Sequence, residues 1–167
     1  MPKRLATTCL AIMFLVGITS PVMRAQDAKP QNASLKDITA VYVLVEDLPD
    51  GAKVLGLTKD SIQTDVELKL RLAGMRVATR DEYFKLPGSP SLYVNVNVSD
   101  SSARAASIDV ELDQNALLER TGALAVGVTT WSASRVIANP STQFVRESIK
   151  DEVDKFMNAW LSVNPKK

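Results

Sequence analysis

The 167-residue chain contains no histidine. Without an imidazole it cannot run Ser-His-Asp or Cys-His catalysis or ligate zinc through histidine, and it lacks the usual side chain that titrates near neutral pH. Cysteine occurs once, at Cys9, inside an apolar run near the amino terminus. Once that run is removed there is no disulfide, no thiolate nucleophile and no thiolate metal site. Glycine and proline are not in excess, and neither a Gly-rich phosphate loop nor a Gly-x-Ser-x-Gly elbow occurs. Nor is there a basic excess. Removing Lys3, Arg4 and Arg24 from the 20 basic residues leaves 17 against 19 acidic ones, a net charge of −2, which excludes the electrostatic footprint of a nucleic-acid binder.

What is present first is an export signal. Lys3 and Arg4 precede the apolar run LATTCLAIMFLVGITS, and the segment reaches a small residue at Ala25. A positive start, an apolar centre and a small residue at the cleavage point read as a signal peptide over residues 1–25. The run Leu5 to Thr19 falls short of the roughly 20 residues a membrane-spanning helix needs, so cleavage is favoured over a retained anchor. The expected location is periplasmic or secreted, with no stable membrane insertion after cleavage. Residues 26–36, QDAKPQNASLK, are polar and without periodicity and read as a flexible leader. The remaining residues 37–167 suit one domain, in a chain that is 46% hydrophobic and 23% charged.

Within that domain the apolar run ITAVYVLVEDL, Ile38 to Leu48, predicts a central strand covered on both faces, followed by a turn at Pro49, Asp50 and Gly51. From Thr58, a suitable N-cap, Ile62, Val66, Leu70 and Ala73 recur at helical spacing, and Gly74 stands where a left-handed terminator is wanted. Asp65 with Lys69 and Glu67 with Arg71 predict intrahelical ion pairs. MRVATRDEY then reads as a returning strand. Three further strands are expected over Ser91–Ser99, Ala105 to about Leu118 and Ala123 to about Ile137, joined by short polar turns as an antiparallel meander. A final amphipathic helix is announced by Asn139 and Pro140. It aligns Val145, Ile149, Val153, Phe156 and Trp160 on one stripe and ends at Asn164-Pro165. The fold class is therefore α+β: strand-helix-strand, a three-strand antiparallel meander, and a C-terminal amphipathic helix packed on one sheet face.

Strict alternation in the meander separates two faces. Leu92, Val94, Val96 and Val98 share one side, while Tyr93, Asn95 and Asn97 share the other with Asp109, Glu111 and Asp113 of the next strand. These six, with Trp131 as a possible stacking platform, are the candidate ligand-binding residues. The plainer reading is the solvated side of an antiparallel sheet. A divalent cation would need carboxylates that wrap it, which a flat strand does not supply, so no metal and no cofactor is expected. A glycosidase would need one carboxyl group in an apolar pocket beside an ionised one, an asymmetry that acids two apart on one strand lack. Trp160 reads as core. Asn32-Ala33-Ser34 and Asn97-Val98-Ser99 match the glycosylation tripeptide, which matters only in a eukaryotic secretory pathway.

LKLRLAGMRVATRDEY, a helix ending at Gly with a basic strand after it, resembles a stretch in the amino-terminal domain of the Tol translocation protein and in the curli-assembly lipoprotein family. DEVDKFMNAWLSVNPKK resembles the tails of uncharacterised exported bacterial proteins. The resemblance implies a small α/β module of the bacterial envelope and carries no catalytic residue across. The chain departs from the lipoprotein relatives in having no lipid-bearing cysteine. The expected function is an exported, non-catalytic binding or assembly module with an envelope protein partner. The alternatives are a small-molecule, sugar or cation-binding domain using the polar sheet face, and a His-independent hydrolase.

Overall fold

The segment AVYVLV, Ala40–Val45, forms strand β1 at the interior of a five-stranded sheet in the computed structural model, which describes residues 30–99 and 104–165. The expected signal segment 1–25, the first residues of the expected leader, and residues 100–103 and 166–167 lie outside the described residues. Val41, Val43 and Val45 are buried on one side of β1, but on the other Tyr42 is only partly covered and Leu44 is 41% exposed. The expectation of a strand covered on both faces is therefore corrected. β1 is apolar throughout because its second face meets a short helix at one corner rather than a full layer.

After β1, Pro49 is the N-cap of a short helix, α1 (Asp50–Val54), where a turn was expected. Helix α2 (Lys59–Leu72) starts as predicted, with the Thr58 hydroxyl accepting from the Ser61 N–H at 3.2 Å. Its end is also as predicted. Gly74 takes φ 93°, its N–H donates to the Arg71 carbonyl, and the Met75 N–H reaches back to the Leu70 carbonyl at 2.9 Å. This paired pattern closes the helix, with Met75 and Leu70 both buried. The returning strand is shorter than expected. Only Arg76–Val77 forms β2, parallel to β1, because Thr79 and Glu82 make a reciprocal capping box that starts helix α3 (Arg80–Tyr83). The Thr79 N–H, its hydroxyl and Arg76 together hold the Glu82 carboxyl below its usual range.

The meander is present as β3 (Ser91–Val98), β4 (Ala105–Leu117) and β5 (Leu124–Ala138), with β3 parallel to β1 and a spatial order β2-β1-β3-β4-β5. Helix α4 (Thr142–Val163) begins at Ser141, whose hydroxyl accepts from the Phe144 N–H, not at Asn139, which adopts φ 50°.

Apart from α3 at that corner, the helices among the described residues cover one side of the sheet. Val145, Ile149, Val153, Phe156 and Met157 of α4 and Ile62, Val66 and Leu70 of α2 pack on the inward residues of the sheet, including Leu92, Val94, Val96, Ile108, Val110 and Leu112. Asp65 does not pair with Lys69. It bonds Arg146 of α4 at 2.7 Å, and Lys69 bonds Asp154 at 2.7 Å, so the charges that were expected to stabilise α2 alone bind the two helices together. Glu67 and Arg71 do pair within α2, at 2.8 Å.

The described part of the leader is ordered. Pro30–Leu35 is a 3-10 helix whose Leu35 is fully buried in the core, because the end of α4 clasps it. The Asn164 side chain donates to the Leu35 carbonyl and accepts from the Asp37 N–H, and Trp160 donates to the Ile38 carbonyl at 2.9 Å. Trp160 is thus half-buried at the core margin rather than inside it.

Under the sheet, Glu152 of α4 is completely buried, accepting from Arg135 Nε of β5 at 2.8 Å and from Lys155 Nζ at 2.6 Å. Arg135→Ala is expected to cost about 2–3 kcal/mol in urea unfolding, below the full penalty for stranding a buried charge because Lys155 remains. Replacing the pair together, Arg135→Met with Glu152→Leu, should restore most of that loss, and a single variant as stable as the parent would contradict this account of the interface.

Candidate docking face

The side of the sheet opposite α2 and α4 carries no helical layer among the described residues. Register places Tyr93 opposite Glu111, Asn95 opposite Asp109, and Asn97 opposite Ser107, and puts Ser91 opposite Asp113. Ser132 and Ser134 of β5 continue the face beside Glu111 and Asp109. Six of the seven predicted residues are therefore brought together as the alternation required.

Trp131 is not among them. It sits opposite Leu112 on the helix side, 4% exposed, with its ring edge-on to Phe156 at 5.3 Å between centroids. The reason is a register shift in the β4–β5 ladder between Leu112 and Asp113, which leaves Thr130 unopposed between Thr129 and Trp131. Beyond it a second shift coincides with Gly127 at φ 63°, a conformation that suits glycine.

The polar groups of this face largely satisfy one another. The Asn97 side-chain amide donates to Asn95 Oδ1 at 3.2 Å, and Thr129 donates to Asp113 at 2.7 Å. Tyr93 donates to Glu46 at 2.5 Å. That bond, partial burial, and the negative charges of Glu46, Glu111 and Asp113 push the Tyr93 hydroxyl up to about 12. The carboxylates of β4 follow one strand at two-residue steps of about 7 Å, too far apart to close on one ion. Among the described residues no group of three acidic side chains could hold a metal.

One end of the face differs in kind. Helix α3 leans Tyr83 against Tyr42 of β1, with ring centroids 5.4 Å apart, and Phe84 follows at 4.9 Å from Tyr83 and 67% exposed. Tyr42, Leu44, Arg80, Tyr83, Phe84 and Ser91 line a cleft of about 160 Å³. Sequence reasoning missed this corner. The signal was Thr79-x-x-Glu82, a capping box that would have turned the supposed strand into the helix carrying Tyr83.

A larger hollow of about 470 Å³ lies beyond the carboxyl end of β1, lined by Asp47, Leu48, Lys53, Leu57, Thr58 and Lys59. Its charges are already matched. Lys59 bonds Asp47 at 2.8 Å, lowering the acid's pKa while Asp47 raises that of the lysine, and Lys53 bonds Asp50 at 3.0 Å.

The chain matches no protein-family model and no curated protein. Among solved structures it is similar to a dodecamer of a PelC point variant from Paraburkholderia phytofirmans, at 15% identity and a TM-score of 0.39, over 72% of this chain and 88% of that one. It is also similar to a minor lipoprotein from Acinetobacter baumannii, at 12% identity and a TM-score of 0.34, over 74% of this chain and 93% of that one. At these TM-scores the likeness carries no argument about function.

The Tyr93–Glu46 bond gives a pH prediction. Because the folded value lies above the ordinary value of about 10, Tyr93 stabilises the fold fully below pH 10, and this contribution fades as pH rises toward 12. An ultraviolet titration should show a late tyrosinate component near pH 12 that Tyr93→Phe removes and Glu46→Gln moves down. If the late component survives Tyr93→Phe, the assignment is wrong.

Proposed function

We propose that the chain is an exported, non-catalytic binding or assembly module of the bacterial envelope that holds a protein partner on the uncovered face of its sheet. The observation that carries this reading is the aromatic corner, where Phe84 stands exposed beside Tyr42, Tyr83 and Leu44 at the end of α3, with no further helix over them among the described residues. Exposed aromatics around a shallow cleft are the anchors that protein interfaces use. A cleft of about 160 Å³ holds a side chain, and is smaller than the roughly 300 Å³ at which small-molecule pockets begin. Export rests on Lys3, Arg4 and the apolar run to Thr19. No helix among the described residues is long and apolar enough to cross a membrane.

A second reading, a small-ligand domain, is favoured by the hollow beyond β1, whose volume suits a small molecule. It moves the ligand away from the polar face, where the side chains bond one another. A hydrolase has less support, since Asp109, Glu111 and Asp113 lie in a row at two-residue steps on one strand, an arrangement without the asymmetry of environment that an acid and base pair needs.

A photo-reactive residue in place of Phe84 should give discrete envelope adducts that Tyr83→Ala and Leu44→Asp abolish. The same probe in place of Leu72, which is more exposed and on the helical side, should give none. Equal labelling from both positions would reject the proposal.

A further inference from the structure

The two edges of the sheet are treated differently. β2, at one edge, is two residues long, and its Arg76 is drawn onto Glu82 of α3 at 2.9 Å. Short, charged and flanked edges are how proteins avoid unwanted strand pairing. β5, at the other edge, is fifteen residues long and contains no proline and no lysine. Its first half is irregular, since both ladder shifts fall there and the Ser34 hydroxyl donates to the Thr130 carbonyl. From Trp131 to Ala138 the ladder with β4 runs without a shift, and among the described residues no strand pairs with its outer side. Alternate residues of such an edge strand turn their N–H and C=O groups outward, unbonded. Val136, on this run, is 79% exposed.

We propose that this run is a homodimerisation edge, where two copies of the chain pair their β5 strands antiparallel about a twofold axis at Ser134. Charge decides for a second copy over a foreign strand. The only charged residue of β5 is Arg135, and it is turned under the sheet onto Glu152 and Asp151. The outward surface therefore offers no charge by which a foreign strand would be selected, and nothing that repels its own copy. About Ser134, the two Ser134 side chains meet on the axis, Ser132 stands opposite Val136 of the second copy, and Arg135 faces Ala133 rather than another arginine.

The acidic residues do not oppose this pairing. Asp109 and Glu111 lie on β4, one strand in from the joint, so like residues of the two copies are three strand spacings apart. That is about 14 Å, beyond the ~8 Å screening length at physiological salt. A short edge buries less than the roughly 800 Å² per partner of a standard interface, so the dimer is one that dissociates on dilution. The proposal concerns the edge and not the open face, so its failure leaves the docking-face reading standing.

The test uses the full chain, expressed with its own amino-terminal segment. Sedimentation velocity should show a monomer–dimer equilibrium in the micromolar range, and Val136→Lys, a change at an exposed site, should weaken it at least about tenfold without lowering the melting temperature. Adding Ser132→Glu to Val136→Lys should recover the dimer, because the two changes face each other across the axis. In a Cys9→Ser background, Ser134→Cys should form a disulfide-linked dimer under mild oxidation much faster than Ser162→Cys, a control on the exposed end of α4. A chain that stays monomeric throughout, leaving the edge to a foreign strand, overturns the proposal. So does a dimer indifferent to Val136→Lys, or Ser134→Cys linking no faster than the control.

Discussion

One helical layer has to bury the apolar face of five strands, and the rest of the architecture follows from there being one such layer among the described residues. α4 contributes most of it, and its hold depends on charge as well as on packing. Glu152 reaches Arg135 from beneath the sheet, Asp65 and Lys69 of α2 reach Arg146 and Asp154 of α4, and Asn164 fastens the helix end to the chain entering β1. With α2 and α4 fixed on one side, the other side is left to water or to a partner.

That asymmetry sorts the residues of the open face. Over β3 and β4 it is built for water, with amides, hydroxyls and carboxylates bonded to one another and Tyr93 held by Glu46. Over the start of β1 it is not, since Tyr42, Leu44, Tyr83 and Phe84 form an apolar island in a polar field. Solvation explains the first region and leaves the second without a reason inside the fold. The proposed anchor for a partner's side chain would supply one.

The sequence showed most of this architecture wherever a period ran uninterrupted. The valines of β3, the alternation of β4, the stripe of α4 and the Thr58 and Gly74 boundaries of α2 all follow from side-chain period and capping chemistry. What was hidden depended on contacts distant in sequence. Asp65 was expected to pair with Lys69 because they are four apart, but α4 offers each a better-placed partner. Leu35 sits in a segment too polar to look like core, and is buried because Asn164 and Trp160 grip the backbone beside it. Trp131 was placed by a register shift that leaves no mark in TTW. Tyr42 looked like one more residue of an apolar strand until α3 brought Tyr83 over it.

The central claim is the proposal that the aromatic corner is occupied by a partner in the cell. Oxidative footprinting compares the same side chains in the purified chain and in intact expressing cells. The account predicts that Phe84 and Tyr83 are readily oxidised in the purified chain and protected in cells, while Leu72 on the outer side of α2 is oxidised equally in both. Equal oxidation of Phe84 and Tyr83 in the two settings would contradict it.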